Sequence, residues 1–320
     1  MSAQGTVTAD AGSAAPEKTQ ARRRVKAPGY SMALPAWFWF VFFFVVPVGL
    51  ILWYSFGQQV DAFTQKPDVS NPSLDNYVKA IDPAYFPTFW RTVRISVIGT
   101  VACLFISIPF AYWLATKVNE RYRGLLLGLV LVPFWTNFLV RTIGWQIILA
   151  PAGFVSGWWE SLPFTDGPLD ILYTSKGVQL GVIYNYLPLM ILPLYVAFER
   201  MDPALREASR DLGAGRFKTF MQVTMPLAMP GAVAGMLLVY IPLMGDYITP
   251  VLLGGADGSM AGMLVANQFL ATFNWSLGAA MAVLLILFIL GTLVIFGVLG
   301  LLARWFLRSR RRVQLPGGAE

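Results

Sequence analysis

The chain has 320 residues, of which 56% are hydrophobic and only 13% charged, with a net charge of +7. A soluble domain carries about 25% charged residues, so this composition excludes a disordered chain, a nucleic-acid arm and an ordinary cytosolic enzyme, and points to a membrane protein. There is no histidine and one cysteine, Cys103, which excludes histidine acid–base chemistry, an intrachain disulfide and a cysteine-cluster metal site.

Residues 1–32 are small and polar and end in Lys18, Arg22, Arg23, Arg24 and Lys26, which predicts a disordered basic tail. The apolar run that follows, 34–56, is too long for the core of a cleaved signal and is long enough to span a bilayer. Five further runs qualify: 92–115, 124–150, 177–198, 227–253 and 277–302. Runs of this length exclude barrel strands, so the expected fold class is an all-α membrane protein with six transmembrane helices over 33–305, closed by a basic tail at 306–320.

Lysine and arginine set the orientation. They crowd the first tail, the second loop (Lys117, Arg121, Arg123), the fourth loop (Arg200, Arg206, Arg210, Arg216, Lys218) and the C-terminal tail (Arg304, Arg308, Arg310, Arg311, Arg312). Both termini and the even loops are therefore expected on the cytoplasmic side of the membrane. The basic excess is mostly a topology signal and does not require nucleic acid. Prolines at 47, 109, 133, 188, 193 and 242 interrupt the spans, a pattern compatible with kinks or with a cavity between helices.

The fourth loop, 199–226, is the most informative. Asp202-Pro203 reads as a capping carboxylate followed by proline in the first helical position. Helix formers run from Ala204 to Leu212, Gly213 and Gly215 break the helix, and Arg216 to Val223 resume it before Pro226.

Glu207-Ala208-Ser209, then Gly213, then Val223-Thr224-Met225-Pro226 resembles the EAA loop of the permease subunits of binding-protein-dependent ABC importers, with Ser209, Val223 and Met225 as mild departures. Segments around Pro133–Trp145, Gly245–Gly255 and Asn267–Ala279 are similar to the spermidine/putrescine branch. The resemblance implies a type I importer permease fold. It also implies that 199–226 couples to an ATP-binding subunit through Glu207, Ala208, Ser209, Gly213 and Pro226. The implied partners are two copies of that ATPase, which would hold the ATP and Mg, a second homologous permease and an extracytoplasmic solute-binding protein. The chain itself has no Walker loop and is expected to be neither an enzyme nor a cofactor binder.

Arg141 and Asp246 are the ionisable residues well inside the expected spans. Along continuous helices they would lie at similar depth, about 26 Å and about 28 Å from the entry points. Two readings are open: they pair, or Asp246 faces the translocation cavity. A cationic solute needs a carboxylate and aromatic faces. Asp246, Tyr247, Trp135, Tyr184, Asn185 and Tyr240 are the candidates for such a pathway. Thiamine or ferric iron are alternative solutes. An ion-coupled secondary transporter, which would require more intramembrane charges, is the alternative class.

Overall fold

The computed structural model describes residues 30–59, 67–163 and 169–310. Both basic tails lie largely outside these residues. Six helical segments are long and apolar enough to cross a membrane: Ala33–Ser55, Phe86–Thr116, Phe138–Glu160, Ser175–Glu199, Arg216–Met244 and Trp275–Leu302. Regular structure among the described residues is helical, apart from one isolated bridge between Gln58 and Asp68.

Two compact units are distinguished, divided between Val48 and Gly49. The first contains α1 (Tyr30–Phe40), a π-helical turn (Val41–Val45) and the start of α2 (Val46–Ser55). Phe, Trp and Val dominate this stretch, and Trp39 and Phe43 lie ring to ring at 4.2 Å.

The second unit contains α3 (Asp75–Ala80), α4 (Phe86–Thr116), α5 (Glu120–Trp135), α6 (Phe138–Leu149), α7 (Phe154–Glu160) and α8 (Ser175–Glu199). It continues through α9 (Pro203–Asp211), α10 (Arg216–Thr219), a second π-helical turn (Phe220–Thr224), α11 (Met225–Met244), α12 (Ile248–Leu253), α13 (Ala261–Leu270) and α14 (Trp275–Arg310). Helices α4, α8 and α11 pack pairwise around a core that includes Cys103, Leu114, Val182, Leu194, Val239 and Leu243. A second cluster joins Phe89, Tyr240, Met244, Ala261 and Met281, drawing α13 and α14 onto α4 and α11. Asn76 stitches the second unit near its start, donating to the carbonyls of Ser55 (3.2 Å) and Gly57 (2.6 Å).

Lipid tails are as apolar as leucine, so spanning helices associate through close packing of small residues. Gly231 shows this best. A Cβ there would sit 2.5 Å from the Ala197 Cβ and 2.7 Å from the Pro193 carbonyl oxygen, so α8 and α11 touch at this point through backbone. Gly231→Val is expected to force these helices apart and cost about 1–3 kcal/mol, the usual range for overpacking. Gly124→Ala, with nothing within 4 Å, serves as the neutral control. Thermal denaturation of the detergent-purified variants is the measurement.

The structure breaks two helices that the sequence pattern reads as continuous. The 124–150 run splits at Thr136-Asn137: the Thr136 hydroxyl donates to the Pro133 carbonyl (2.6 Å), and Asn137 Oδ1 accepts from Leu139 N (2.8 Å) to cap α6. The 227–253 run splits at Gly245–Tyr247, after Pro242. In the other direction, the fifth span starts earlier than expected, because the helical path is unbroken from Arg216 through the π turn into α11. Pro226 sits in the first turn of α11 instead of ending a helix. Proline has no N–H to give the carbonyl four residues back, and the wider π turn just before it absorbs that loss.

Candidate functional site

The 199–226 loop leaves the bundle where α8 ends and returns through α10. Asp202 Oδ1 accepts from Ala204 N at 2.9 Å, with Pro203 as the first helical residue, so α9 begins as its sequence dictates. Gly213 stops it with φ +82°, a left-handed conformation that side-chain-bearing residues resist, while Gly213 N donates to the Arg210 carbonyl at 2.8 Å. The Ser209 and Thr219 hydroxyls meet at 3.1 Å and tie α9 to α10.

Within this loop Glu207, Ala208, Gly213 and Pro226 are exposed and Ser209 is half-buried. Two further residues escaped the sequence reading. Leu212 is 89% exposed and Phe217 74% exposed, the barest of the loop's apolar side chains, with Leu205 and Met221 also exposed. Their signal in the sequence was only their position outside the spans. Beside the loop, a groove of about 770 Å³ runs between α8 and α11, lined by Pro193, Ala197, Arg200, Met201, Asp202 and Leu205.

A second polar cluster lies within the spans. Asp246 is 6% exposed and stands at the break between α11 and α12. Its Oδ1 accepts from Ile248 N (3.0 Å) and Thr249 N (3.1 Å), and its Oδ2 accepts from the Thr249 hydroxyl (2.5 Å). The carboxylate thus caps α12. The Tyr186 hydroxyl neighbours that carboxylate and donates to the Pro242 carbonyl at 3.5 Å.

Arg141 does not form an ion pair with Asp246. Once α6 starts anew at Phe138, the depth of Arg141 is no longer set by the distance from Gly124, and the comparison along continuous helices fails. Its guanidinium carbon lies 5.6 Å from the Phe134 ring centroid and 5.5 Å from that of Phe138, in cation–π contact with both. Its Nε and Nη1 are buried without hydrogen-bond partners. Tyr186 stands beside Asp246 with its ring 6.0 Å from that of Phe138, one of the two rings that hold Arg141.

The other pathway candidates divide. Asn185 is buried, donates to the Thr142 hydroxyl at 3.1 Å and keeps its Oδ1 unpartnered. Tyr184 packs edge-on against Trp145 at 5.3 Å. Trp135 is 79% exposed at the end of α5, and Tyr247 is also exposed. Tyr240 does not join them. It is buried in the second core cluster, its hydroxyl bonded to that of Thr292 (2.7 Å) and its ring edge-on to Phe296. Tyr240 is therefore a packing contact between α11 and α14. Thr142, Tyr186 and Thr249 complete the polar cluster instead, and nothing in their spacing along the chain announced it. Among the described residues, no group of three His, Cys, Asp or Glu side chains is arranged to hold a metal.

Comparison with known proteins gives this geometry its context. Residues 107–308 match the family described as binding-protein-dependent transport system inner membrane component. The chain is 40% identical over 247 residues to the spermidine/putrescine transport system permease protein PotB of Escherichia coli K12, covering 77% of this chain and 88% of that protein. It is 39% identical over 249 residues to PotB of Haemophilus influenzae, covering 77% and 84%. The fold is similar to that of a chain in a bacterial transporter importing alginate, with TM-score 0.62 and 17% identity over 82% of this chain and 92% of that one. Family members of this kind are transport permeases and not enzymes. The chain belongs to the inner-membrane permease components of binding-protein-dependent transport systems.

Proposed function

We propose that this chain is one permease subunit of an ATP-driven importer of polyamines, spermidine or putrescine. The substrate class rests on the 40% identity, over 77% of the chain, to permeases named for these solutes. The coupling role rests on one observation above all: a capped helix, a left-handed glycine and a second short helix project from the bundle with Leu212 and Phe217 bare.

In this reading α9, with Leu212 just past its end and Phe217 on α10, seats in a groove of an ATP-hydrolysing subunit, with Glu207 as a fixed charge at the contact. ATP and Mg bind in that partner, of which two copies serve a complete importer. Six spans supply half of a pathway, so a second homologous permease supplies the other half. The loop end is cytoplasmic, in keeping with the arginines and lysines of the second and fourth loops and of both tails.

An extracytoplasmic solute-binding protein delivers the polyamine at the opposite end. The alginate transporter offers a parallel, since a related structure is described in complex with an alginate-bound periplasmic protein. Closure of the ATPases moves the two coupling loops, the helix bundles rock, and the path opens alternately to each side. Tyr184, Asn185, Tyr247 and Trp135 remain the proposed aromatic and polar contacts for the passing cation.

Affinity purification of the tagged chain from its native membrane tests the assembly. An ATPase and a second permease are expected to co-purify. A chain recovered alone that still moves polyamine would favour the secondary-transporter alternative.

A further inference from the structure

Helices α4, α8 and α11 converge on one aromatic contact at the loop end of the bundle. Tyr112, near the end of α4, meets Phe198 at the end of α8 with ring centroids 5.6 Å apart and planes at 79°. The same Tyr112 ring meets Phe220 at 5.1 Å and 74°. Both contacts are edge-to-face, the favoured arrangement for aromatic pairs. Phe220 opens the π-helical turn that separates α10 from α11. Directly before it is the buried Thr219, whose hydroxyl meets that of Ser209 on α9.

A continuous chain of contacts therefore runs from the exposed loop helix to three spanning helices: Ser209, Thr219, Phe220, Tyr112, Phe198. The π turn aims the central member. Its closing bond runs from Met225 N to the Phe220 carbonyl, five residues apart, so the turn holds one residue more than an α turn. One residue corresponds to about 100° of rotation about the helix axis. Without the extra residue, α10 and Phe220 would be rotated by that angle relative to α11, away from Tyr112. The buried Thr224 hydroxyl in this turn has no hydrogen-bond partner, so it adds nothing to the backbone bond that closes the turn. π turns inside helices recur at functional sites.

We propose that Phe220 is a positioning residue for transport, passing displacement of the 203–219 segment through Tyr112 to α4 and α8. This rests on the coupling role proposed above for the loop.

The test uses the complete complex in proteoliposomes, with the ATPase co-purified, and reads spermidine uptake per ATP hydrolysed. Phe220→Ala is expected to assemble and hydrolyse ATP while uptake per ATP falls about threefold to tenfold, the size expected for losing edge-to-face ring contacts. Phe220→Tyr should restore it. Tyr112→Leu, on a different helix, should reproduce the loss, and deletion of the exposed Gln222 should exceed it by turning the ring aside. If Phe220→Ala fails to assemble, Phe220→Leu keeps the bulk without the ring and reads the same quantity. Unchanged uptake per ATP in both the Phe220 and Tyr112 variants overturns the proposal and leaves the coupling role standing. Failure of the wild-type chain to bind an ATPase overturns the coupling role itself.

Discussion

Asp246→Leu is expected to destabilise the permease and abolish uptake, whereas Asp246→Asn is expected to retain the fold and most of the activity. The carboxylate accepts three hydrogen bonds from Ile248 and Thr249 within a buried helix break. Leucine removes every acceptor. Loss of a capping side chain costs about 0.5–2 kcal/mol, and each buried donor left unmet adds about 1–3 kcal/mol. The total should exceed about 3 kcal/mol and lower the unfolding midpoint of the purified protein clearly. Asparagine keeps one oxygen for the two backbone N–H groups, removes the charge, and puts an NH2 donor opposite the Thr249 hydroxyl, which can turn to accept from it. A folded, correctly assembled Asp246→Asn variant without uptake would instead return this carboxylate to the path of the cationic solute. Paired thermal-denaturation and uptake measurements on the two variants separate these outcomes.

Charging the apolar tip of the loop should have the other large effect. Leu212 and Phe217 are largely exposed, so replacing either with aspartate leaves the permease itself nearly as stable as before. If both seat in a partner groove, each charge is buried without a counter-ion on association. Removing a well-packed apolar anchor at an interface costs about 2–4 kcal/mol, and a desolvated charge adds to that. The expected result is loss of the ATPase from the purified complex, with the permease fold unchanged by circular dichroism. An ATPase retained in full by Leu212→Asp and Phe217→Asp would place the contact elsewhere on the loop.

Much of this was legible in the chain itself. Span length depends on a run of apolar residues, which is a local property, and the number of spans and the positions of four were readable that way, while the third and fifth lie at Phe138–Glu160 and Arg216–Met244. The loop helix was readable because Asp202, Pro203 and Gly213 act on their own backbone: cap, start and stop need no tertiary context. Helix breaks inside the membrane were harder. Pro133 and Asn137 carry the chemistry for one, and Pro242 with Gly245 and Asp246 for the other, but the hydropathy on both sides is uniform and hides the interruption. Once both helices break, depth no longer follows from counting residues, which is why Arg141 rests on Phe134 and Phe138 while Asp246 binds Ile248 and Thr249. Which aromatic residues turn inward is a property of the packed bundle. Tyr240 faces α14, while Tyr186, one residue from a named candidate, joins the polar cluster. The Tyr112–Phe198–Phe220 contact joins residues far apart in sequence and had no local signature at all.

The central claim is that this permease imports polyamine only when driven by an ATPase seated on the 199–226 loop. The direct test is uptake of labelled spermidine into proteoliposomes containing the purified complex, supplied with the loaded solute-binding protein on one side and ATP with Mg on the other. Uptake is expected to require ATP and the binding protein, and to disappear with Leu212→Asp. Equal uptake without ATP would contradict it.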